Sequence, residues 1–175
     1  MAYGWEGKKV RLVPLELERH FVNALKWIND PQITEGQLIG DFPMTSLAER
    51  AWFEARMKGS PDESMFAIET LEGRHIGFTG IHNINWRDGT GTSGTLIGEP
   101  DDWGKGYGTD SACTRSRHAF EVLGLRMIFS EVLDGNERSL RMLKRAGYIE
   151  CGRFPRKTWK RGAYRDVVYL YLERG

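Results

Sequence analysis

The stretch Glu99-Pro100-Asp101-Asp102-Trp103-Gly104-Lys105-Gly106-Tyr107-Gly108-Thr109 places three glycines at alternate positions, directly before a run that is typical of a helix. A strand-like segment, Thr92 to Gly98, precedes it. A strand, a glycine turn and a helix together make a cradle for phosphate, because glycine lets the backbone approach a ligand closely and the first N–H groups of a helix have no partner within it. An ordinary glycine-rich turn has the same pattern, so the rest of the chain must decide between a phosphate-binding site and a plain turn.

Two common phosphate-binding motifs are excluded by spacing. A Walker loop has four residues between its first glycine and the Gly-Lys pair, whereas five residues separate Gly98 from Gly104-Lys105 here. The dinucleotide fingerprint GxGxxG is also absent, since Gly104, Gly106 and Gly108 give GxGxG late in the chain.

The length of 175 residues predicts one domain, residues 1–175, with a sizeable core. No apolar run is long enough to span a membrane, and the polar N-terminus does not resemble a secretory signal. Cys113 and Cys151 have neither a CxxC spacing nor a disulfide framework, which favours a reducing cytoplasm with both side chains buried. The four histidines are scattered, so no metal site is predicted.

Charge is unevenly distributed along the chain. Between Arg141 and Arg165 nine basic residues face one acid, Glu150, although the net charge of the whole chain is only +1. Such a block either holds phosphates or nucleic acid or forms a solvated face. No RNA-binding aromatic motif accompanies it, so nucleic acid is an unlikely partner.

Hydrophobic periodicity predicts a mixed α/β (α+β) fold. Strands are expected at 8–15, 63–70, 75–84, 92–98, 126–133, 148–152 and 166–172. Helices are expected at 16–28, at 47–58 behind a capping box that Ser46 opens, after the glycine turn, and behind a second capping box at Asp134. Hairpin turns join the second, third and fourth strands, so the middle of the chain is predicted to be an antiparallel meander.

This order of elements resembles the GCN5-related N-acetyltransferase (GNAT) superfamily, and in particular its RimJ/RimL-like branch, which acetylates the N-termini of ribosomal proteins. Four local features carry the resemblance over nearly the whole chain: Leu96-Ile97-Gly98 with Trp103 to Thr109, Asn136-Glu137-Arg138-Ser139, Lys144-Arg145-Ala146-Gly147-Tyr148, and Arg161-Gly162-Ala163-Tyr164-Arg165-Asp166. Trp103 occupies the first position of the superfamily's loop signature, as in this branch.

The resemblance implies a GNAT fold, with a central mixed and largely antiparallel sheet of about seven strands and about four helices. It implies that the sheet is splayed between strands 4 and 5, and that a bulge exposes the N–H near Leu96 or Ile97 to a thioester oxygen. It also implies a homodimer and acetyl-CoA as cofactor. The cofactor-binding residues it implies are Leu96, Ile97, Gly98, Trp103, Gly104, Lys105, Gly106, Tyr107, Gly108, Thr109 and Asn136.

The implied reaction is direct transfer of the acetyl group to an amine in a ternary complex. An alkyl amine has a pKa near ~10, so a base must take its proton. Glu99, His82 and Glu131 are the candidate bases, and each is equally explained as a surface or salt-bridge residue. A peptide α-amine, with a pKa near ~7.7–8.0, needs no strong base, and a chain of water molecules would serve it.

The general acid departs from the family pattern. Many members carry a Tyr seven residues after the Asn, and Leu143 stands at that position here. Ser139, one helical turn earlier, or a water molecule held by Asn136 or Ser139, is then the candidate donor; a helix-cap role explains Ser139 equally well. The missing Tyr also leaves open an alternative function, a catalytically weak acyl-CoA-binding sensor or partner protein.

The acceptor amine is left open as either a protein N-terminus or a small molecule such as a polyamine or an antibiotic. The loop from Pro31 to Thr45, the second helix and the hairpin from Arg156 to Arg165 are expected to select it. Glu35 and Asp41 are candidates to attract a cationic amine, and Trp86 is a candidate wall of its pocket.

Overall fold

Seven strands and five α-helices make up residues 5–175, the part of the chain that the computed structural model describes. The strands are β1 (Val10–Val13), β2 (Ser64–Thr70), β3 (His75–Asn85), β4 (Thr90–Ile97), β5 (Met127–Leu133), β6 (Ile149–Lys160) and β7 (Ala163–Glu173). The helices are α1 (Leu17–Ile28), α2 (Pro31–Thr34), α3 (Ser46–Met57), α4 (Tyr107–Arg117) and α5 (Glu137–Arg145). A 3₁₀ turn at Pro100–Asp102 precedes α4, and a π-helical turn at His118–Val122 extends it.

All seven strands belong to one sheet of order β1-β2-β3-β4-β5-β7-β6. Its neighbouring strands run antiparallel except for β4 and β5, which are parallel. The predicted mixed, largely antiparallel sheet and the meander from β2 to β4 are therefore confirmed.

The parallel strands β4 and β5 separate part of the way along their length. They pair only from Thr90 to Ser93 on β4 and from Met127 to Ser130 on β5. Beyond this point β4 continues to Ile97 on its β3 side, and β5 continues to Leu133 on its β7 side. The splay that the family resemblance implied is thus present, and it opens a gap in the middle of the sheet.

Helices cover both faces of the sheet. On one face, α1 and α3 pack over a cluster that includes Leu15, Ala24, Phe53 and Ala67. On the other face, α4 and α5 cover two clusters, one around Phe66 and Ile76 and one around Ile81, Ile128, Leu140 and Leu143. Because side chains alternate along a strand, β2 and β3 contribute to both layers.

Helix starts differ from the predicted ones by one or two residues. Thr45, not Ser46, caps α3 through its hydroxyl oxygen, which accepts from the N–H of Ala48 at 3.2 Å. Asn136, not Asp134, caps α5. The one-turn helix α2 raises the number of helices from the expected four or so to five. Pro31 at its first position and the Asp30 side chain stabilise it. It was not predicted because four residues are too few to show helical periodicity.

The β6–β7 hairpin is much longer than predicted. Pro155 lies within β6, where a register shift between Phe154 and Thr158 accommodates it. Proline is tolerated there because β6 is the edge of the sheet and its outer side needs no donor. The sequence predicts strands only at 148–152 and 166–172, with the basic segment between them as their connection.

Both cysteines are exposed, so the prediction that they are buried is wrong. Cys113 lies on an α4 position outside the packed face, and partial burial, with Asp110 as a second cause, raises the pKa of its thiol. Over residues 5–175, the helices are too short or too polar to cross a bilayer.

Candidate active site

The glycine turn and α4 form an anion-binding cradle. Gly104 and Gly106 have φ of 76° and 89°, and Gly106 is the N-cap of α4 in a left-handed conformation without a side-chain cap. Within residues 5–175, the N–H groups from Gly104 to Thr109 donate no hydrogen bond; those from Gly106 to Thr109 belong to the first turn of α4, which has no acceptor for them. These unused donors, at the positive end of the helix dipole, fit a pyrophosphate.

Three contacts hold the cradle in place. Nζ of Lys9 donates to the carbonyl oxygen of Lys105 at 2.7 Å, which brings a second positive charge to the turn. The Trp103 indole donates to the carbonyl oxygen of Ile97 at 3.0 Å, and the Arg138 guanidinium stacks 3.4 Å from the centre of the Trp103 ring. Trp103 therefore ties the turn to the end of β4.

A cavity of about 580 Å³ runs through the gap between β4 and β5. Its walls come from both faces of the sheet: Thr92 to Leu96 from β4, Ser130 to Leu133 from β5, Ser139, Met142 and Leu143 from α5, and Trp27, Glu49, Trp52, Arg56 and His82 from the α1–α3 side. An extended, amide-rich arm can pair with the open edge of β4 as an added strand would.

The three residues of the predicted cofactor strand have different surroundings. Leu96 lines the cavity, whereas Ile97 packs against the cluster of β1 and β2. A Cβ added to Gly98 would lie 1.9 Å from the Trp27 ring, so packing against α1 requires glycine there.

His82 lies at the place where β4 and β5 separate. Its Nε2 is 3.8 Å from the position that a Cβ on Gly94 would occupy, so the imidazole sits over the first residue of β4 beyond its pairing with β5. Its Nδ1 is 3.3 Å from Oε2 of Glu63, which also pairs with Arg56 at 3.3 Å. Because a carboxylate only accepts, the neutral ring carries its hydrogen on Nδ1 and leaves Nε2 able to take a proton.

The other two candidate bases are already paired. Oε1 of Glu99 accepts from Lys26 at 2.7 Å and from the Trp27 indole at 2.9 Å, and these hydrogen bonds hold the pKa of Glu99 below its usual value. Glu99 does not line the cavity. Glu131 does, but its carboxylate accepts from Lys157 at 2.7 Å. Of the three, His82 alone lines the cavity without being paired to a basic side chain.

The start of α5 forms the wall opposite β4. The Asn136 amide is used twice, since it accepts from the N–H of Ser139 at 3.1 Å and donates to the carbonyl oxygen of Gly36 at 2.7 Å. The Ser139 hydroxyl lines the cavity and makes no hydrogen bond within the described part of the chain. Leu143 is 2% exposed and fills the next turn.

The three predicted substrate residues do not come together in this cavity. Glu35 is exposed at the end of α2, and Trp86 is exposed in the β3–β4 turn, where its indole donates to the carbonyl oxygen of Pro61 at 2.8 Å. Asp41 accepts from buried Lys160 at 2.8 Å and lines a separate surface depression with Phe42 and Trp159.

A buried carboxyl on α3 was missed by the sequence analysis. Glu49 is 5% exposed, lines the cavity, and forms no hydrogen bond through its side chain within residues 5–175. Burial raises its pKa, and Arg56 opposes this shift. Its sequence signal was its spacing, because Glu49 is four residues before the core residue Phe53 and therefore lies on the buried face.

Within residues 5–175, four of the nine basic residues between Arg141 and Arg165 form ion pairs, three of them with acids from elsewhere in the fold. Lys144 contacts Glu150, and the remaining pairs join different elements: Arg153 with Asp134 and Asp166, Lys157 with Glu131, and Lys160 with Asp41. These pairs reduce the net charge that the block presents to a ligand.

Comparisons with known proteins agree with this arrangement. Residues 9–149 match the model of the acetyltransferase (GNAT) domain family. A spermidine N-acetyltransferase from Vibrio cholerae, solved in complex with CoA and spermine, superposes with a TM-score of 0.84 at 21% identity, over 94% of this chain and 95% of that one.

Two further solved structures share the fold. A GNAT-family acetyltransferase from Bacillus anthracis has a TM-score of 0.82 at 16% identity, over 96% of both chains. A GCN5-related N-acetyltransferase from Brucella melitensis has a TM-score of 0.77 at 22% identity, over 97% of this chain and 77% of that one. The family match covers most of the chain and the fold agrees throughout, so the chain belongs to the GNAT acetyltransferase family.

Proposed function

We propose that this protein is an acetyl-CoA-dependent N-acetyltransferase that transfers the acetyl group directly to a primary amine. Acetyl-CoA is the cofactor of the family. The residues present fit it, because the cradle from Gly104 to Thr109 offers unused N–H donors for the pyrophosphate and the open edge of β4 can pair with the pantetheine arm.

The observation that carries the proposal is the place of His82. Its imidazole lies over Gly94, where the gap in the sheet begins, and Glu63 orients it from behind. A base held by a carboxylate and aimed at the point where an amine meets a thioester is the arrangement that deprotonation requires.

Acetyl-CoA supplies an activated carbonyl: the amine nitrogen forms a C–N bond as the C–S bond breaks. In the proposed mechanism the proton of the amine passes to Nε2 of His82, which then releases it to solvent. Ser139, or a water molecule that its hydroxyl holds, gives a proton to the thiolate and regains one from solvent, so the products are the amide and the free thiol. The acid contributes less than the base, since a thiol with a pKa near ~8.5 leaves readily as thiolate.

The acceptor is either a protein N-terminus, as in the RimJ/RimL-like branch, or a small-molecule amine, as for the spermidine acetyltransferase of similar fold. The buried carboxyl of Glu49 in the cavity wall favours an acceptor that carries a second positive charge, which a polyamine does. Trp27, Trp52 and Phe78 add apolar walls for the methylene chain of such a ligand.

Thiol release from acetyl-CoA should be measured with a panel of amines that includes spermidine, spermine, an aminoglycoside and peptides with free N-termini. We expect acceptor-dependent release with at least one of these amines. Labelled acetyl-CoA added to a cell extract, followed by mass spectrometry, would identify an acceptor outside the panel. The proposal fails if no amine in either experiment is acetylated.

The buried Leu143 at the position of the family's Tyr favours one alternative, an acyl-CoA-binding sensor with weak catalysis. Calorimetry of acetyl-CoA binding separates the two functions. Tight binding without turnover on any amine would support the sensor, whereas turnover that saturates with acceptor would exclude it.

A further inference from the structure

Arg115 on α4 is a fully buried arginine without an acidic partner. Its exposed fraction is 0%, and within residues 5–175 all its hydrogen bonds go to neutral oxygens. A guanidinium stays charged in proteins, and an uncompensated charge in the interior is costly. The groups that Arg115 contacts must therefore stabilise its charge, and they are the groups that this charge polarises.

Those contacts converge on β4 at the edge of the gap. Nη1 of Arg115 donates to the carbonyl oxygen of Gly94 at 2.8 Å and to the hydroxyls of Thr95 and Thr79 at 2.6 and 2.9 Å. Nη2 donates to the Tyr148 hydroxyl at 2.9 Å. The Gly94 carbonyl oxygen also accepts from the Thr79 hydroxyl at 2.9 Å, so it receives one charged and one neutral donor.

The N–H at the other end of the Gly94–Thr95 peptide faces the gap. The carbonyl oxygens of Ser93 and Ile97 point away from β3, because they accept from Ser130 on β5 and from the Trp103 indole. Backbone polar groups alternate along a strand, so those of Thr95 point the same way. In a trans peptide the C=O and N–H are opposed, so Arg115 binds the carbonyl of the peptide whose N–H enters the cavity.

His82 approaches this same peptide from the opposite face of the sheet. Its Nε2 lies over Gly94, which has no side chain to separate the imidazole from the backbone. Arg115 and Thr79 lie on the α4 face, and His82 lies on the α1–α3 face. A proton acceptor and a polarised N–H donor therefore flank one position in the cavity.

We propose that Arg115 is a positioning residue for acetyl transfer, which clamps and polarises the Gly94–Thr95 peptide so that the Thr95 N–H binds the thioester oxygen. This inference rests on the proposed function. As the amine adds, the electron pair of the C=O bond moves onto that oxygen; it returns as the C–S bond breaks, while the amine proton goes to His82. A charged donor on the carbonyl side strengthens the N–H as a donor without touching the substrate.

The amide proton of Thr95 is the first readout, measured by NMR in the unaltered protein. We expect it to shift downfield on addition of acetyl-CoA, and not on addition of CoA, which lacks the carbonyl. This measurement needs no acceptor amine. A shift without turnover would therefore defeat the proposed function alone, whereas turnover without a shift would defeat this inference alone.

Arg115→Gln, which keeps a donor but removes the charge, is the matching variant. We expect kcat to fall by about 10- to 100-fold, with KM for acetyl-CoA changed less than about twofold, and the Thr95 shift to shrink. Arg115→Lys should recover part of both.

Ser116→Ala is the control, because Ser116 is buried on the same helix and contacts Tyr148 but not Gly94. It should leave kcat unchanged. A folded Arg115→Gln protein with normal kcat, or one whose Thr95 shift is intact, would overturn the inference. If that variant does not fold, the shift in the unaltered protein decides.

Discussion

Replacing His82 by Gln keeps a polar side chain of similar length over Gly94 but removes the group that can take a proton. We expect kcat for an alkyl amine to fall by about 10²- to 10⁴-fold, the usual contribution of a general base, with KM for acetyl-CoA little changed. Steady-state thiol release measures both constants.

Glu63→Gln is the companion variant to His82→Gln. It keeps the imidazole but removes the carboxylate that holds Nδ1–H, so a smaller loss is expected. A His82→Gln enzyme with full kcat on an alkyl amine would show that water accepts the proton instead.

Glu49 provides a second residue-scale prediction, on substrate recognition. Glu49→Gln should raise KM for a polyamine by about 10-fold without changing KM for acetyl-CoA, because a buried charge pair with an ammonium contributes about 1.5–3 kcal/mol. Glu54→Gln is the control, since Glu54 lies on the same helix, is half-exposed and pairs through its carboxylate with Arg50.

The pH dependence of KM for the polyamine tests whether the charged form of Glu49 binds the acceptor. Burial raises the pKa of Glu49, so this carboxyl gains its proton at a higher pH than an ordinary glutamate. KM for the polyamine should therefore rise as pH falls in the unaltered enzyme and stay flat in Glu49→Gln. The folded form favours the protonated carboxyl, so the variant should be no less stable at neutral pH. A parallel rise in both proteins would remove Glu49 from recognition.

At the scale of elements, the role of the glycine turn in cofactor binding can be tested by comparing Gly106 with a glycine of similar φ elsewhere in the chain. Gly106 and Gly73 have φ of 89° and 87°, and alanine costs about 1–2 kcal/mol in such a conformation. In the Gly106→Ala protein the turn should relieve this strain by rotating its backbone N–H groups out of the cradle. The Kd for acetyl-CoA should therefore rise at least about tenfold.

Gly73→Ala, in the β2–β3 turn, should lose similar stability and bind acetyl-CoA normally. Calorimetry gives both affinities, and urea unfolding gives both stabilities. Equal affinity in the two variants would mean that the turn only connects β4 to α4.

The helices, the strands and the cradle were predictable because their signals are local. Hydrophobic alternation, turn residues and the three glycines all lie within short windows. The side chains that complete the cavity were not predictable, because their environment comes from distant segments. In the sequence, Glu99 is a candidate base because it follows the cofactor strand. In the fold its carboxylate is paired with Lys26, which lies 73 residues away along the chain. Arg115 is buried because it packs against β3, β4 and Tyr148, which are distant from α4 along the chain.

At the scale of the whole molecule, Asp110 joins the start of the chain to the cofactor cradle. Its carboxylate oxygens accept from the N–H groups of Lys8, Lys9 and Val10 at 3.1, 2.8 and 3.0 Å. The segment wraps closely, since a Cβ on Gly7 would lie 2.3 Å from Oδ2 of Asp110. This contact positions Lys9 to hold the carbonyl of Lys105.

Asp110→Asn should therefore weaken both the fold and cofactor binding. Asparagine offers one acceptor oxygen and two N–H donors, which would face the three backbone N–H groups. We expect a loss of about 1–3 kcal/mol in the free energy of unfolding and a several-fold rise in the Kd for acetyl-CoA. Urea unfolding and calorimetry measure the two quantities.

Two further variants separate the parts of this prediction. Lys9→Met keeps the backbone contacts of Asp110 and should raise the Kd with little loss of stability. Asp88→Asn, in the β3–β4 turn, removes a carboxylate that accepts from nearby Asn85 and should leave the Kd unchanged. Because a bound ligand stabilises the fold in proportion to its affinity, saturating acetyl-CoA should protect Asp110→Asn less than the unaltered protein. Equal protection would show that the chain's first strand is held by Asp110 without any effect on the cradle beside it.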